Sequence, residues 1–190
     1  MKKRSVALLC AVMMIVGIAA GGTIAWLTDH TAEVKNTFTV GTIDIDLTES
    51  EDLDLKMTPG KTITKDPKVT VEDGSEDSYV FVKIEASENY KDYLEPYQVA
   101  EGWTAVPGAD GVYYREYKAA DSAVEYPVLK DNQVKVLTSV TKAQMDAVKA
   151  GTTPAPTLTF TAYAIQSADL GTADIGEIWA MAQEGAAPQG

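Results

Sequence analysis

Few residues of this chain could carry out catalysis or bind a metal. The 190 residues include one histidine, His30, and one cysteine, Cys10. A zinc site with two or three histidine ligands, and the HExxH motif with its two histidines, are therefore excluded. No glycine-rich phosphate loop is present, and Cys10 lies within an apolar N-terminal run. The sequence thus predicts no catalytic residue, no cofactor and no bound metal, and His30 is interpreted as an exposed polar residue.

Carboxylates are plentiful, but their spacing favours solvated positions. Asp44 and Asp46 alternate with isoleucines, which is typical of the polar face of a half-buried strand. The run from Glu72 to Asp77 could supply oxygen ligands for calcium, although its spacing does not match an EF-hand loop. We therefore interpret that run as a polar turn.

Tyrosines are the other group with a possible binding role. Such rings could form a sugar-binding platform, or they could be the half-buried rim of a β-sheet core, which is the commoner arrangement. The candidates are Tyr90, Tyr93, Tyr97, Tyr113, Tyr114, Tyr117 and Tyr126.

The N-terminal segment has the layout of a secretory signal peptide. Three basic residues at positions 2–4 precede an apolar run from Val6 to Ala20. Thr23 and Ala25 are small residues at −3 and −1 of the bond before Trp26, which predicts cleavage there. Residues 1–25 would then be removed, and the chain would meet the membrane only before cleavage. The alternative is an uncleaved membrane anchor, which needs about 20 apolar residues.

The mature chain is predicted to be acidic and free of disulfides. Removal of residues 1–25 leaves 13 basic and 28 acidic residues, because Lys2, Lys3 and Arg4 are lost, and Cys10 leaves with them. Such a charge makes nucleic acid and anionic lipid poor partners. The length of residues 26–184 fits one domain held by its core, and residues 185–190 are expected to form a disordered tail.

Most of the chain reads as short strands separated by turns. Strands are predicted over 42–47, 63–71, 79–86, 103–106, 112–117, 134–140 and 158–165, with a kink at Gly41 and a turn at Pro59-Gly60. Short helices are predicted after Thr141 and Asp174, each with a capping box, and near Tyr90–Tyr97. The pattern indicates an all-β fold, an antiparallel β-sandwich with two or three short helices.

Two stretches near the N-terminus resemble one known family. The run from Gly21 to Asp29, GGTIAWLTD, and the run from Asn36 to Ile45, NTFTVGTIDI, are similar to the start of TasA/camelysin proteins. Stretches 59–67, 74–80 and 162–166 resemble the wider group that depends on a SipW-type signal peptidase.

The resemblance implies a jelly-roll-like sandwich, secretion, and assembly into fibres of an extracellular biofilm matrix. The partners would be further copies of the chain or related matrix proteins, together with the SipW-type peptidase that cuts the signal. The family is also classed with metallopeptidases, an activity for which this chain lacks the usual histidines. A cell-surface binding module or adhesin is the alternative, and a peptidase is the third possibility.

The segment from Trp26 to Val40 is the predicted subunit contact. It contains no glycine or proline, and its threonines favour extended backbone. After cleavage it could add a strand to an open sheet edge of a neighbour, with alternate side chains filling pockets. Residues 26–34 could equally pair within their own sandwich, and from Phe38 onward the favoured interpretation is a strand of the same molecule. The apolar contact residues would be Trp26, Leu27, Val34, Phe38 and Val40.

Overall fold

Antiparallel β-strands make up most of the domain. The computed structural model describes residues 43–50, 56–168 and 170–185 of the chain. Within these residues the strands are β1 (Ile45–Thr48), β2 (Thr62–Thr64), β3 (Lys68–Val71), β4 (Ser78–Ala86), β5 (Thr104–Ala105), β6 (Val112–Tyr117), β7 (Val124–Pro127), β8 (Gln133–Lys135) and β9 (Leu158–Gln166), and the α-helices are α1 (Lys142–Lys149) and α2 (Ile175–Gly185).

Two sheets face each other and enclose the main core. One has the strand order β1-β3-β7 and the other β5-β6-β4-β9, and all of their pairings are antiparallel. Valines of β3 (Val69 and Val71) pack against Val80 and Val82 of β4, and all four are fully buried. The predicted all-β sandwich is therefore confirmed.

β4 is one of the two inner strands of the larger sheet, and it is covered on both faces. Six of its successive residues, Val80 to Glu85, alternate between the two faces, and the apolar ones are buried on both. Val80, Val82 and Ile84 face the smaller sheet, whereas Phe81 faces α2. A strand covered on both sides needs apolar residues at both parities, as a continuous apolar run provides.

Two further core clusters extend the sandwich. Phe81, Ile178 and Trp179 belong to the cluster under α2, where the Trp179 ring lies 5.3 Å from Phe81 and 4.9 Å from Tyr163. The other cluster joins the small β2-β8 sheet to α1 and to a 3₁₀ turn at Tyr90–Asp92. Helices thus cover the outer face and one end of the β-sandwich.

Several predicted strand boundaries were wrong. The strand expected over 63–71 is split into β2 and β3, because the chain changes partners at Pro67, which has no N–H to donate. The strand expected over 134–140 ends at Lys135, and Val140 enters the core from a turn. Strand β7 has no counterpart in the prediction.

Both capping boxes are confirmed. In α1 the Thr141 side chain accepts from the backbone N–H of Gln144, and Gln144 Oε1 accepts from Thr141 N at 2.9 Å. In α2 Asp174 Oδ1 accepts from Glu177 N at 2.9 Å, and Glu177 Oε2 accepts from Asp174 N at 3.1 Å. The turn expected near Tyr90–Tyr97 is the shorter 3₁₀ turn Tyr90–Asp92.

Several predictions fall on residues outside the described ranges. These are the signal peptide, the kink at Gly41, the segment from Trp26 to Val40, and residues 186–190 of the tail predicted over 185–190, whose first residue, Gly185, is the last residue of α2. Within the described part of the chain, no helix is long and apolar enough to cross a lipid bilayer.

Candidate functional site

The end strands of the two sheets lie at one open side of the sandwich. β1 pairs only with β3, and β9 pairs only with β4, over the part of the chain that the structure describes. β9 is nine residues long, so one edge presents a long row of backbone N–H and C=O groups without a strand partner there. Such an edge can take an added strand.

A groove runs between these two edges, and we call it the edge groove. Its volume is about 310 Å³, and its apolar lining includes Leu47 from β1 and Leu158 and Phe160 from β9. It shares Lys65 and Leu158 with an apolar pocket of about 340 Å³. That neighbouring pocket is lined by Met57, Ile63, Lys65, Tyr90, Leu94, Val134, Ala155, Pro156, Thr157 and Leu158. The two together form a continuous half-open surface, which is mainly apolar in the pocket and mixed polar and apolar in the edge groove.

One lysine sets the electrostatics of the edge groove. Lys65 Nζ lies 2.7 Å from Glu49 Oε1, and it lies 5.4 Å from the centroid of the Phe160 ring. The cation therefore bridges the end of β1 to a ring of β9. Sequence reasoning missed this contact, because nothing in the spacing of residues 49, 65 and 160 indicates that they meet.

The end of β1 is fastened beside this lysine. Ser50 donates from its backbone N–H and from its hydroxyl to the carboxylate of Asp66, at 3.1 and 2.6 Å. These hydrogen bonds hold the pKa of Asp66 below its ordinary value. The wall of the edge groove is therefore fixed before any ligand or strand arrives.

The acidic residues identified from the sequence are either exposed to solvent or held in structural contacts. Asp44 and Asp46 are exposed, in agreement with the solvent-facing interpretation. In the turn from Glu72 to Asp77, Asp77 accepts from Ala119 N at 2.7 Å, which lowers its pKa, and it also pairs with Lys118. Among the described residues, no three His, Cys, Asp or Glu side chains come close enough to hold a metal ion.

The seven candidate tyrosines do not form a single platform. Tyr90, Tyr93 and Tyr117 are buried in the core. Tyr114 belongs to the cluster under α2. The remaining three are half-buried: Tyr97 and Tyr113 line one pocket, and Tyr126 lies elsewhere.

Tyr126 belongs to a stack of three side chains, which we call the arginine stack. The Arg115 guanidinium carbon lies 4.0 Å from the centroid of Tyr126 and 5.1 Å from that of Trp103. Trp103 Nε1 donates to the carbonyl of Pro127 at 2.9 Å, which fixes the indole. Because Arg115 is on β6 and Tyr126 is on β7, the stack ties the two sheets together at their second side.

The predicted signal-cleavage and contact residues lie outside the described ranges. These are Thr23, Ala25, Trp26, Leu27, Val34, Phe38 and Val40, and His30 lies outside them as well. The structure therefore describes a groove and an edge that an added strand would need, and leaves the strand itself untested.

Comparison with protein-family models gives one match. Residues 1–95, half of the chain, match the model described as camelysin metallo-endopeptidase. The chain belongs to the camelysin family. No curated protein and no solved structure gives a significant match.

The family name implies a metal-dependent peptidase activity, so the residues of this chain can be compared with the ligands of a catalytic zinc site. A catalytic zinc site takes three protein ligands, usually histidines with a carboxylate. The chain has one histidine, His30, and the described carboxylates do not converge. These residues do not fit a zinc centre of that kind, so no step of peptide hydrolysis is derived for them.

Proposed function

We propose that this camelysin-family protein is a secreted structural subunit of extracellular matrix fibres. In this proposal, cleavage before Trp26 frees the segment 26–40, which adds a strand to the open side of a neighbouring copy. The observation that carries the proposal is the nine-residue β9, an end strand beside a half-open groove whose walls include the apolar side chains Leu47 and Phe160. Family membership and the acidic composition support it, since both suit a protein that works outside the cell.

The edge groove has the chemistry that an added strand requires. The β9 backbone offers hydrogen bonds worth about 0.5–1.5 kcal/mol net each. The groove offers apolar walls at Leu47 and Phe160, where a buried side chain such as Trp26 or Leu27 contributes roughly 1.5–3 kcal/mol. Association itself costs about 4–15 kcal/mol. Several hydrogen bonds and at least two buried side chains are therefore needed, so the segment should act as a whole.

The alternative is that the segment 26–40, which lies four residues before β1 in the sequence, pairs within its own molecule. Pairing within one molecule would complete the sandwich and leave the protein monomeric. Deleting residues 26–34 separates the two arrangements. If the segment serves a neighbour, the truncated protein stays folded, because strands β1 to β9 are intact, and it loses assembly. If the segment serves its own sandwich, the truncated protein loses stability instead.

A substitution on the receiving side tests the groove directly. Thr159 is an exposed residue of β9 that lines the edge groove, so Thr159→Lys places a charge where the added strand would lie. Thr104→Lys is the matched control, because Thr104 is equally exposed on β5, the opposite edge of the same sheet. We expect wild type and Thr104→Lys to form fibres, and Thr159→Lys and the deletion to remain monomeric.

The measurement is negative-stain electron microscopy with light scattering at equal protein concentration, with the fold checked by circular dichroism. N-terminal sequencing of the secreted protein should begin at Trp26. Absence of wild-type fibres, or fibres from Thr159→Lys that match those of wild type, would show the proposal to be wrong. Zinc-dependent casein cleavage that is lost in His30→Ala would favour the peptidase in its place.

A further inference from the structure

Three of the tyrosines meet at a second pocket, which we call the tyrosine pocket. Its volume is about 420 Å³, within the range of small-molecule sites. It is lined by Tyr90, Lys91, Leu94, Pro96, Tyr97, Tyr113 and Leu137. These residues come from the 3₁₀ turn, from the stretch that follows it, from β6 and from the residues just after β8, so distant parts of the chain converge on one concavity.

The walls of the tyrosine pocket are held by backbone hydrogen bonds. Leu137 N donates to the carbonyl of Tyr93 at 2.9 Å, and Glu95 N donates to the carbonyl of Lys135 at 2.8 Å. The Tyr90 and Tyr97 rings meet edge to face with centroids 6.4 Å apart. Tyr113 is fixed in the ladder between Val82 and Ala105. The pocket is therefore formed in advance, which lowers the entropic cost of binding.

The polar groups of the pocket are hydrogen-bond donors at neutral pH. Burial raises the pKa of Tyr90 and of Tyr97 to about 12, so both hydroxyls stay protonated. The Tyr90 hydroxyl is enclosed and has no hydrogen-bond partner within the described residues. Lys91 is exposed and forms no ion pair in that part of the chain, so its ammonium keeps its donors available.

Aromatic faces combined with the exposed Lys91 ammonium suit a ring that has an apolar C–H face and hydroxyl oxygens at its edge. The chain carries a formal net charge of −12, which opposes the approach of a polyanion and favours an uncharged ligand. The half-buried aromatic pair Trp103 and Tyr126 has no room for such a ring, because Arg115 fills the space between them.

We propose that the tyrosine pocket binds one uncharged hexose unit of a polysaccharide. The sugar stacks on the half-buried rings of Tyr97 and Tyr113, and Lys91 donates to its hydroxyls. This function is separate from strand addition, since none of the three residues lines the edge groove. A protein with both sites would attach to matrix sugar whether or not it polymerises.

The test is a titration of the purified protein with soluble tetrasaccharides, in which binding is monitored by saturation-transfer NMR. Cellotetraose, maltotetraose and mannotetraose are the uncharged probes, and tetragalacturonate is the acidic one. We expect at least one uncharged probe to bind with a Kd of about 1 mM or tighter. Tyr97→Ala should weaken that binding by about tenfold or more, the loss of one stacking contact.

Two matched variants separate binding from folding. Tyr79→Ala removes a half-buried tyrosine from the cluster under α2 and should leave binding unchanged. Lys91→Met alters an exposed side chain and should weaken binding without changing the melting temperature. Lys149→Met, at an exposed position of α1, should change neither the binding nor the melting temperature. The proposal is overturned if no uncharged probe binds, if only tetragalacturonate binds, or if Tyr79→Ala weakens binding as much as Tyr97→Ala.

Discussion

Replacing Gly102 with alanine would disturb the arginine stack, because the added methyl group would displace the Arg115 side chain. Gly102 has a φ of +87°, and a Cβ atom placed on it would collide with Nη2 of Arg115. Gly108 is the matched control, because its φ is +76° and nothing lies within 4 Å of the position its Cβ would take. Both substitutions force alanine into the left-handed region, and only the first displaces Arg115.

The expected magnitudes follow from these two geometries. A left-handed alanine costs about 1–2 kcal/mol in either loop. Moving Arg115 away from Trp103 and Tyr126 forfeits a cation–π contribution of about 0.5–2 kcal/mol. The free energy of unfolding should therefore fall by about 1–2 kcal/mol in Gly108→Ala and by roughly 1.5–4 kcal/mol in Gly102→Ala.

Urea denaturation followed by circular dichroism measures this difference, provided that the m value is unchanged. The double variant Gly102→Ala/Arg115→Ala supplies the decisive comparison. Once Arg115 is absent, Gly102→Ala should cost no more than Gly108→Ala. The role given to the stack would be refuted if Gly102→Ala still cost more than Gly108→Ala after Arg115 had been replaced. It would also be refuted if the two glycine variants cost the same while Arg115 was present.

Two further predictions concern the core. The raised pKa of Tyr90 and of Tyr97, about 12 against an ordinary 10.0, means that the unfolded state loses these protons first. Their contribution to stability is therefore complete below pH 10 and is lost as the pH rises toward 12. The urea midpoint of the wild type should fall across that window, and the midpoint of Tyr97→Phe should fall less steeply. Equal slopes of midpoint against pH in the two proteins would contradict this. Trp179 is only 7% exposed, so Trp179→Ala should lower the free energy of unfolding, measured by urea denaturation, by about 3–5 kcal/mol. Met181 is 37% exposed on the same helix, so Met181→Ala should change it by no more than about 0.5 kcal/mol. Similar changes in the two variants would refute the packing described for α2.

Local patterns in the sequence were sufficient to predict much of the fold. The alternation in 79–86 and 158–165, the loop before Val112 and the two capping boxes depend on residues close together in the chain. Strand β7 was missed because VEYP is short and ends in proline, and its place depends on pairing with β3. The split at Pro67 was missed for a similar reason, because the choice of a new partner strand is a tertiary effect.

The candidate site was less predictable. Seven tyrosines could be named from the sequence, yet only the fold sorts them into core residues, the arginine stack and the tyrosine pocket. The meeting of Glu49, Lys65 and Phe160 joins three separate stretches and has no local signal. The segment 26–40 was named on its lack of glycine and proline, and the described residues do not reach it.

The pairing of β4 with β9 has a consequence for how the chain is made. β4 has buried apolar residues on both faces, and one of its two neighbours is β9, the last strand among the described residues. At a synthesis rate of about 5–20 residues per second, several seconds pass between the emergence of Ala86 and that of Leu158. During that interval β4 has only β6 as a partner strand, and its other edge is unpaired. An unpaired edge favours aggregation, so a nascent chain that stays unfolded until β9 is made avoids that exposure, and the unfolded state is also the one in which a polypeptide can pass through a narrow translocation channel.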